Sequence, residues 1–299
     1  MAVLDSLRTR WAAWRSGRWP LIGGATVAVL VLYYGLGGWL AAEIDPDLTV
    51  RPTAAQLPPG GSVTAAMAAR LIDREVNESS WIPNDSILSR TAILDNKPAY
   101  QDGLRQTVAA EVAALGRDPD LQAAATALAT PSERGWLHAD WPPLGGSAES
   151  AYRDAIAALG RYNDRLSGKE IAPDRAPLRL AIQLDALAGR LGGAGGGVER
   201  AIASRAAPGD RAADEEFYAV RGSAYAAAML LRALREDNPD LVRTRQLGLA
   251  WNEATDALDR AVAVHPIIVG RADLTEQGYY LLLARNKLKA LAVAAGGTP

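Results

Sequence analysis

The residue types most capable of chemistry are concentrated between Arg74 and Gly103. In REVNESSWIPNDSILSRTAILDNKPAYQDG, carboxylates and side-chain amides surround one tryptophan. Glu75 and Glu78 are three residues apart and therefore share a helix face, and Trp81 follows about one turn later. A carboxylate beside an indole can have its pKa raised by desolvation, which suits it to general acid catalysis. The candidate site residues are Glu75, Asn77, Glu78, Trp81, Asn84, Asp85, Asp95 and Asn96.

Three interpretations of this polar stretch remain open from the sequence. In a catalytic one, a glutamate acts as an acid. In a binding one, a rigid loop presents the stretch as a surface for a ligand or partner. In a structural one, the aspartates, asparagines and serines cap helices and form turns, while Trp81 fills the core where a helix ends.

Two further segments contain residue types that can bind ligands. WLHADWPP places His138 and Asp140 between Trp136 and Trp141, an arrangement that can stack on a sugar, although such indoles also pack against neighbouring helices. GGAGGG at 192–197 has no predicted strand before it and no Lys-Ser or Lys-Thr after it, so a phosphate-binding loop is not indicated. We interpret these glycines as a flexible hinge between two helical halves.

Composition excludes several classes of function. The 299 residues include no cysteine, which excludes disulfides, thiolate metal sites and cysteine nucleophiles. His138 and His265 are the only histidines, so we predict no metal and no cofactor. The total formal charge is −2; because residues 1–18 contribute +3, the rest of the chain contributes −5. A mildly acidic body argues against nucleic-acid binding.

One segment predicts a membrane anchor. Residues 21–42 are 22 consecutive residues without a charge, and as a helix they would extend about 33 Å, enough to cross the roughly 30 Å apolar core of a bilayer. Trp19 and Trp39 flank this run as interfacial aromatic residues usually do. The run is longer than the apolar region of a signal peptide, so we predict an uncleaved transmembrane helix over 19–42.

The charges on either side of the predicted span set its orientation. Four arginines precede it and three acidic residues closely follow it. The positive-inside rule therefore places the N-terminus in the cytoplasm and everything after about residue 43 beyond the membrane. Residues 1–18 form a cytoplasmic, basic, amphipathic segment that either lies on the membrane surface or only sets the topology. Its apolar side chains at helical spacing are Leu4, Leu7, Trp11 and Trp14.

The remaining chain predicts an all-α fold, because apolar residues recur with the helical period and no stretch shows sustained two-residue alternation. Residues 43–61, with four prolines and a closing Gly-Gly, predict a proline-rich linker or a wrapping segment. A first helical half over 62–191, the hinge at 192–197 and a second helical half over 198–299 follow. The predicted architecture is a single N-terminal transmembrane helix followed by a multi-helix bundle.

Three pieces of the sequence carry a resemblance to a known family: NESSWIPNDSILSRTAILDNKPAYQDG (77–103), EEFYAVRGSAYAAAMLLRAL (215–234) and GYYLLLARNKLKAL (278–291). Together they resemble an uncharacterised bacterial envelope family, domain of unknown function 2333. The family is similar in length, with one N-terminal span and a helical remainder. The resemblance implies a Gram-negative inner-membrane protein whose bulk is periplasmic. The family has no agreed activity, so no catalytic residue carries over from it.

The shorter stretch NESSWIPNDSIL is also similar to the catalytic-glutamate region of lytic transglycosylases, where Glu-Ser precedes an aromatic residue and a Pro-Asn pair. This resemblance implies that Glu78 is a general acid acting on peptidoglycan. The chain departs from those enzymes immediately afterwards, because SRTAILDN stands where they have a Gly-Leu-Met-Gln signature.

We therefore predict a non-enzymatic, inner-membrane-anchored periplasmic scaffold or binding module that presents a surface around Trp81. Its expected contacts are the lipid bilayer, through residues 19–42, and an unidentified envelope protein or the cell wall. The alternative is a peptidoglycan-active enzyme with Glu78 as general acid. Such an enzyme needs Glu78 in a concave, partly dry pocket on which further polar groups converge.

Overall fold

The computed structural model describes residues 19–33, 43–84, 96–135, 146–204, 207 and 210–296, and these residues form helices and no strand. The predicted all-α class is therefore confirmed. The helices are α1 (Trp19–Val31), α2 (Val63–Asp73), α3 (Asn96–Leu115), α4 (Pro119–Leu128), α5 (Ala148–Ser167), α6 (Pro177–Ala203), α7 (Arg211–Asp237), α8 (Pro239–Thr244), α9 (Gly248–Ala263) and α10 (Arg271–Gly296).

The chain divides into two units, each described by itself. In the first unit, α1 is 13 residues long and uncharged, and its side chains from Ile22 onward are exposed. None of the helices in the described ranges combines the length and the apolar character that a membrane crossing demands. The predicted amphipathic segment at 1–18 and the end of the predicted span at 34–42 lie outside the described residues.

The second unit begins at Ile44 and is compact, so the predicted division into halves at 62–191 and 198–299 is wrong. Its central helix is α7, in which every residue from Gly222 to Leu231 is buried. The helices α2, α3, α6 and α9 all pack against α7. A helix that is apolar on all sides is stable in water only when neighbouring elements cover all of its faces.

The backbones of α3 and α7 cross in direct contact at Gly103 and Gly222. A Cβ atom on Gly103 would lie 2.0 Å from the Ala219 carbonyl oxygen, and one on Gly222 would lie 2.0 Å from the Tyr100 carbonyl oxygen. Across the contact, the Ser223 hydroxyl donates a 3.1 Å hydrogen bond to the Gly103 carbonyl. Both positions require glycine, because no side-chain carbon fits between the two backbones.

The first turn of α2 is capped partly by the far end of α7. The Asp237 carboxylate accepts hydrogen bonds from the Val63 and Thr64 amides, both at 2.9 Å, and from the Ser62 hydroxyl at 2.8 Å. Ser62, where the sequence predicts the helix to begin, is also the local N-cap and accepts from the Ala65 amide at 3.2 Å. Amides that have no partner within their own helix are thus satisfied by a residue 173 to 175 positions away.

Residues 44–61 form neither helix nor strand, and they wrap along the body instead of linking it as a free chain. The Asn163 side chain on α5 donates a 3.0 Å hydrogen bond to the Gln56 carbonyl and so fixes the segment near its end. The apolar side chains of the segment that pack, partly buried, against the core are Ile44, Leu48 and Val50.

The predicted hinge at 192–197 is wrong, because these glycines lie inside the continuous helix α6. α6 packs closely against α10: a Cβ atom on Gly192 would lie 2.9 Å from Arg285 Nε, and one on Gly195 would lie 3.6 Å from Leu281. Glycine costs about 1 kcal/mol relative to alanine in a helix interior. Packing against α10 outweighs that cost, since most helical stability in proteins comes from tertiary contacts.

We expect Gly222→Ala to lower the free energy of unfolding by about 3 kcal/mol, because the added methyl group must push α3 and α7 apart. Urea unfolding of the full chain, followed by far-UV circular dichroism, measures the change. Gly160→Ala in α5 is the matched control: nothing lies within 4 Å of a Cβ atom there. It should gain up to about 1 kcal/mol from helix propensity. Equal stability of the two variants would contradict the close crossing.

Candidate functional site

The candidate site is built on a π-helical turn, Arg74–Glu78, that continues α2. In this turn the Ser79 amide donates a 2.9 Å hydrogen bond to the Arg74 carbonyl five residues earlier. Single π turns occur frequently at functional sites. Here the wider turn places Glu75 in the interior and leaves Glu78 in solvent. The prediction from their spacing, that the two carboxylates share a helix face, is therefore wrong.

Glu75 is the buried carboxylate of the site and is 5% exposed. Gln101 Nε2 on α3 donates a 3.0 Å hydrogen bond to Glu75 Oε2. Gln101 also donates to the Ser80 carbonyl at 2.9 Å and accepts from the Ile82 amide at 3.0 Å, so it clamps the turn onto α3. Burial raises the pKa of Glu75, and the hydrogen bond from Gln101 opposes part of that rise.

Arg74 and Tyr225 connect the wrapping segment to α7. Arg74 Nη1 donates to the Tyr225 hydroxyl at 3.0 Å, and Nη2 donates to the Asp45 carbonyl and carboxylate at 2.8 and 2.5 Å. The Tyr225 hydroxyl donates in turn to the Asp47 carbonyl at 2.9 Å. Burial raises the pKa of Tyr225 to about 12, against the opposing charge of Arg74. Tyr100 lies beside Tyr225, and its buried hydroxyl has no hydrogen-bond partner among the described residues.

Trp81 lies in the core and is 2% exposed. Its Nε1 donates a 3.0 Å hydrogen bond to the Ser132 carbonyl, and its ring meets the Tyr152 ring edge to face with centroids 4.9 Å apart. Asn84, three residues later, donates a 3.0 Å hydrogen bond to the Glu149 carboxylate. The indole therefore forms no part of an exposed surface and fills the core, as the structural interpretation of this stretch predicts.

Glu78 lies on the exposed side of the turn, with 51% of its side chain accessible. Its carboxylate pairs with Arg70, and the distance from Arg70 Nη2 to Glu78 Oε2 is 3.1 Å. The hydrogen bond from Arg70 lowers the pKa of Glu78. Asn77 is exposed beside it, donating to Asp73 at 2.7 Å and accepting from Arg153 at 3.0 Å. A general acid must hold its proton at the working pH, and this arrangement favours the ionised form.

The remaining candidates are at the start of α3 or outside the described residues. Asn96 begins α3, and its Oδ1 is buried without a hydrogen-bond partner in the described part of the chain. Asp85 and Asp95 lie outside the described residues, as do residues 136–141 with their two tryptophans, His138 and Asp140. Among the other candidates, Glu75 and Trp81 are buried and Asn84 is half-buried. Asn77 and Glu78 are exposed.

The residues that hold this site together are not among the candidates that the sequence predicts, and they are Arg74, Gln101 and Tyr225. The sequence does indicate that Gln101 is buried. Gln101 is in helical register with Leu104 and Val108, so its side-chain amide lies on the apolar face of the helix. A polar side chain in such a position is buried and needs hydrogen-bond partners.

A second buried carboxylate, also missed, lies between α3 and α6. Glu111 is fully buried, and Gln183 Nε2 donates a 3.0 Å hydrogen bond to its Oε1. Its Oε2 has no hydrogen-bond partner among the described residues. Burial raises the pKa of Glu111 to about 8; the Gln183 hydrogen bond opposes this rise and the charge of Asp237 adds to it. The carboxyl group is therefore mostly protonated at neutral pH.

In the described residues, no three histidine, cysteine, aspartate or glutamate side chains are grouped to hold a metal ion. No protein-family model, curated protein or solved structure matches this chain. Membership of domain of unknown function 2333 therefore stays a prediction.

We expect Trp81→Ala to lower the free energy of unfolding by about 3–5 kcal/mol, because removing a large core side chain leaves a cavity. Glu78→Gln should change it by no more than about 1 kcal/mol, since an exposed ion pair contributes little. Urea unfolding of both variants measures the difference. A Trp81→Ala variant as stable as the wild type would rule out an interior role for the indole.

We also expect stability to depend on pH through Glu111. Between pH 4.5, the ordinary pKa of a glutamate, and about 8, the folded protein holds a proton on Glu111 that the unfolded chain has lost. The free energy of unfolding attributable to this site therefore falls as the pH rises through that interval. Glu111→Gln, which resembles the protonated carboxyl group, should remove this fall and be more stable than the wild type at pH 8.

Unfolding measured at several pH values tests this expectation. Glu276→Gln, at an exposed position of α10, is the control that should keep the pH dependence of the wild type. If Glu111→Gln follows the same pH profile as the wild type, the buried carboxyl group does not cause the dependence.

Proposed function

We propose that this protein is a membrane-anchored, non-enzymatic envelope scaffold. Residues 19–42 cross a bacterial inner membrane, the N-terminus lies in the cytoplasm and the helical body lies in the periplasm. The body presents its outer surface to an envelope protein or to the cell wall. This proposal joins the charge pattern of the first 47 residues to the properties of α1 and of the candidate site.

The exposure of α1 is the observation that carries the proposal. Every described side chain from Ile22 to Tyr33 is exposed, and Val27 and Val31 are 60% and 64% accessible. Exposing the apolar side chains of an uncharged helix to water is unfavourable, so such a helix is stable when apolar surroundings cover all of its faces. A bilayer covers all faces at once, and residues 34–42 continue the same uncharged run.

The candidate site supports a structural role because the protein itself engages its polar groups. Glu75 is held by Gln101, Glu78 pairs with Arg70 and the Trp81 indole bonds to a backbone carbonyl. Catalysis requires groups that are free to meet a substrate in a pocket. The exposed, ionised Glu78 does not favour the alternative of a peptidoglycan-active enzyme.

We expect the full chain to fractionate with membranes and to resist alkaline extraction. The double substitution Val27→Lys and Leu30→Lys should release it, because a lysine near the centre of a span costs about 2.5–3.5 kcal/mol of insertion free energy. Leu178→Lys, at an exposed apolar position of the body, is the control that should leave the protein in the membrane. A reporter fused after Pro299 should be active in the periplasm.

Two results would contradict the proposal. A reporter after Pro299 that is active in the cytoplasm would reverse the topology. Release of muropeptides from purified cell wall by the wild type, lost in Glu78→Gln, would establish the enzyme instead of the scaffold.

A further inference from the structure

α6 and α10 run antiparallel and enclose an open groove of about 290 Å³. Gly192 lies against Arg285 and Gly195 lies against Leu281, so residue numbers rise on one helix as they fall on the other. The groove exists because glycines on α6 leave no side chains to fill the space between the helices. Its volume is at the small end of the roughly 300–1,000 Å³ range of small-molecule pockets.

The lining of the groove is apolar along most of its length. Val198 and Ile202 contribute from α6, and Tyr279 and Leu282 contribute from α10. Tyr279 is 61% exposed and Leu282 is 51% exposed. Exposed apolar side chains that border a groove together mark a binding surface more often than single exposed ones do. The walls therefore suit a hydrocarbon ligand.

Arg285 is the basic residue of the lining and lies at one end of the groove. Its guanidinium covers Gly192, with Nε 2.9 Å and Cζ 3.0 Å from where a Cβ atom would be. Within the part of the chain that the structure describes, no carboxylate pairs with Arg285, and its Nε is buried without an acceptor. A buried donor without an acceptor is unfavourable, and a carboxylate matches the fork of a guanidinium with two parallel hydrogen bonds.

We propose that this groove binds a single-chain amphiphile with a carboxylate head, such as a long-chain fatty acid. The carboxylate pairs with Arg285, and the hydrocarbon chain lies between α6 and α10 in the direction of Ile202 and Thr275. About 15 Å of helix separates Gly192 from Ile202, a distance that an extended hydrocarbon chain can follow. This inference concerns the body alone and does not rest on the proposed membrane anchor.

The charges around the groove favour a head group with one negative charge. Arg285 offers a single positive charge, whereas a phosphate monoester carries about −1.5 to −2 at neutral pH. Glu199, which also lines the groove, adds a negative charge toward the other end. A monoanion is neutralised by Arg285, while a dianion leaves excess negative charge beside apolar walls and Glu199.

Photolabelling of the full chain tests the proposal. The full chain is mixed with phosphatidylcholine vesicles that contain a trace of a palmitic acid carrying a diazirine on its chain, and the labelled peptides are identified by mass spectrometry. We expect label in residues 191–202 and 275–285. The methyl ester of the same probe, which has no charge, should label these peptides about tenfold less, the loss expected for one charge-assisted hydrogen-bonded pair.

Matched variants separate the head-group contact from the groove itself. Arg285→Gln should reduce labelling about tenfold, and Arg200→Gln, an arginine of α6 outside the lining, should not. Gly195→Leu fills the groove and should abolish labelling, because its first carbon meets Leu281 at an ordinary contact distance of 3.6 Å. Gly189→Leu is its control, since a Cβ atom there has open space around it. Far-UV circular dichroism verifies that all variants are folded.

Leu282→Asp keeps the test decisive if Gly195→Leu fails to fold, because the position is exposed and the added carboxylate repels the head group. Label confined to residues outside the groove, equal label with acid and ester, or unchanged label in Arg285→Gln and Leu282→Asp would each overturn the proposal. Crosslinks between groove residues of two chains would assign the groove to a second copy of this protein instead.

Discussion

The body of this protein depends on the direct contact between α3 and α7. At Gly103 and Gly222 the two backbones are so close that a methyl group on either would lie within 2.0 Å of a carbonyl oxygen. That contact sets the position of Tyr100 and Gln101 on α3 relative to Tyr225 on α7. The hydrogen bonds of the π turn and the wrapping segment can form only when those side chains are in place.

The polar stretch from Arg74 to Gly103, whose residue types suggested catalysis, therefore lies at a junction of four chain segments. These are α2, α3, α7 and the wrapping segment. Its polar side chains are costly to bury alone, and Glu75, Arg74 and Tyr225 each form a hydrogen bond with a partner from another segment. Gln101 uses its amide nitrogen and oxygen to hold Glu75 and two backbone groups. Carboxylates, amides and an indole near one another can thus specify how helices meet without catalysing a reaction.

Local features were predictable from the sequence, and long-range ones were not. Helix boundaries depend on neighbouring residues: Ser147 is the N-cap of α5, Gly168 follows its last residue, and Pro119 is the first residue of α4 after the Asp118 N-cap. The π turn changes which side chains share a face, so helical spacing placed Glu75 and Glu78 on one face, whereas Glu75 is buried and Glu78 is exposed. The glycines of α6 remain helical through packing against α10, a contact that no local pattern contains.

The cap that Asp237 provides to α2 has a consequence for the order in which this chain folds. The body's first helix relies on a carboxylate 173 to 175 residues further along the chain. During synthesis, α2 emerges from the ribosome long before Asp237, and its first amides have only the local Ser62 cap until then. Contacts of such sequence separation slow folding, because a long loop must close before they form. The Asp237 part of this cap can therefore form only after most of the chain has been made.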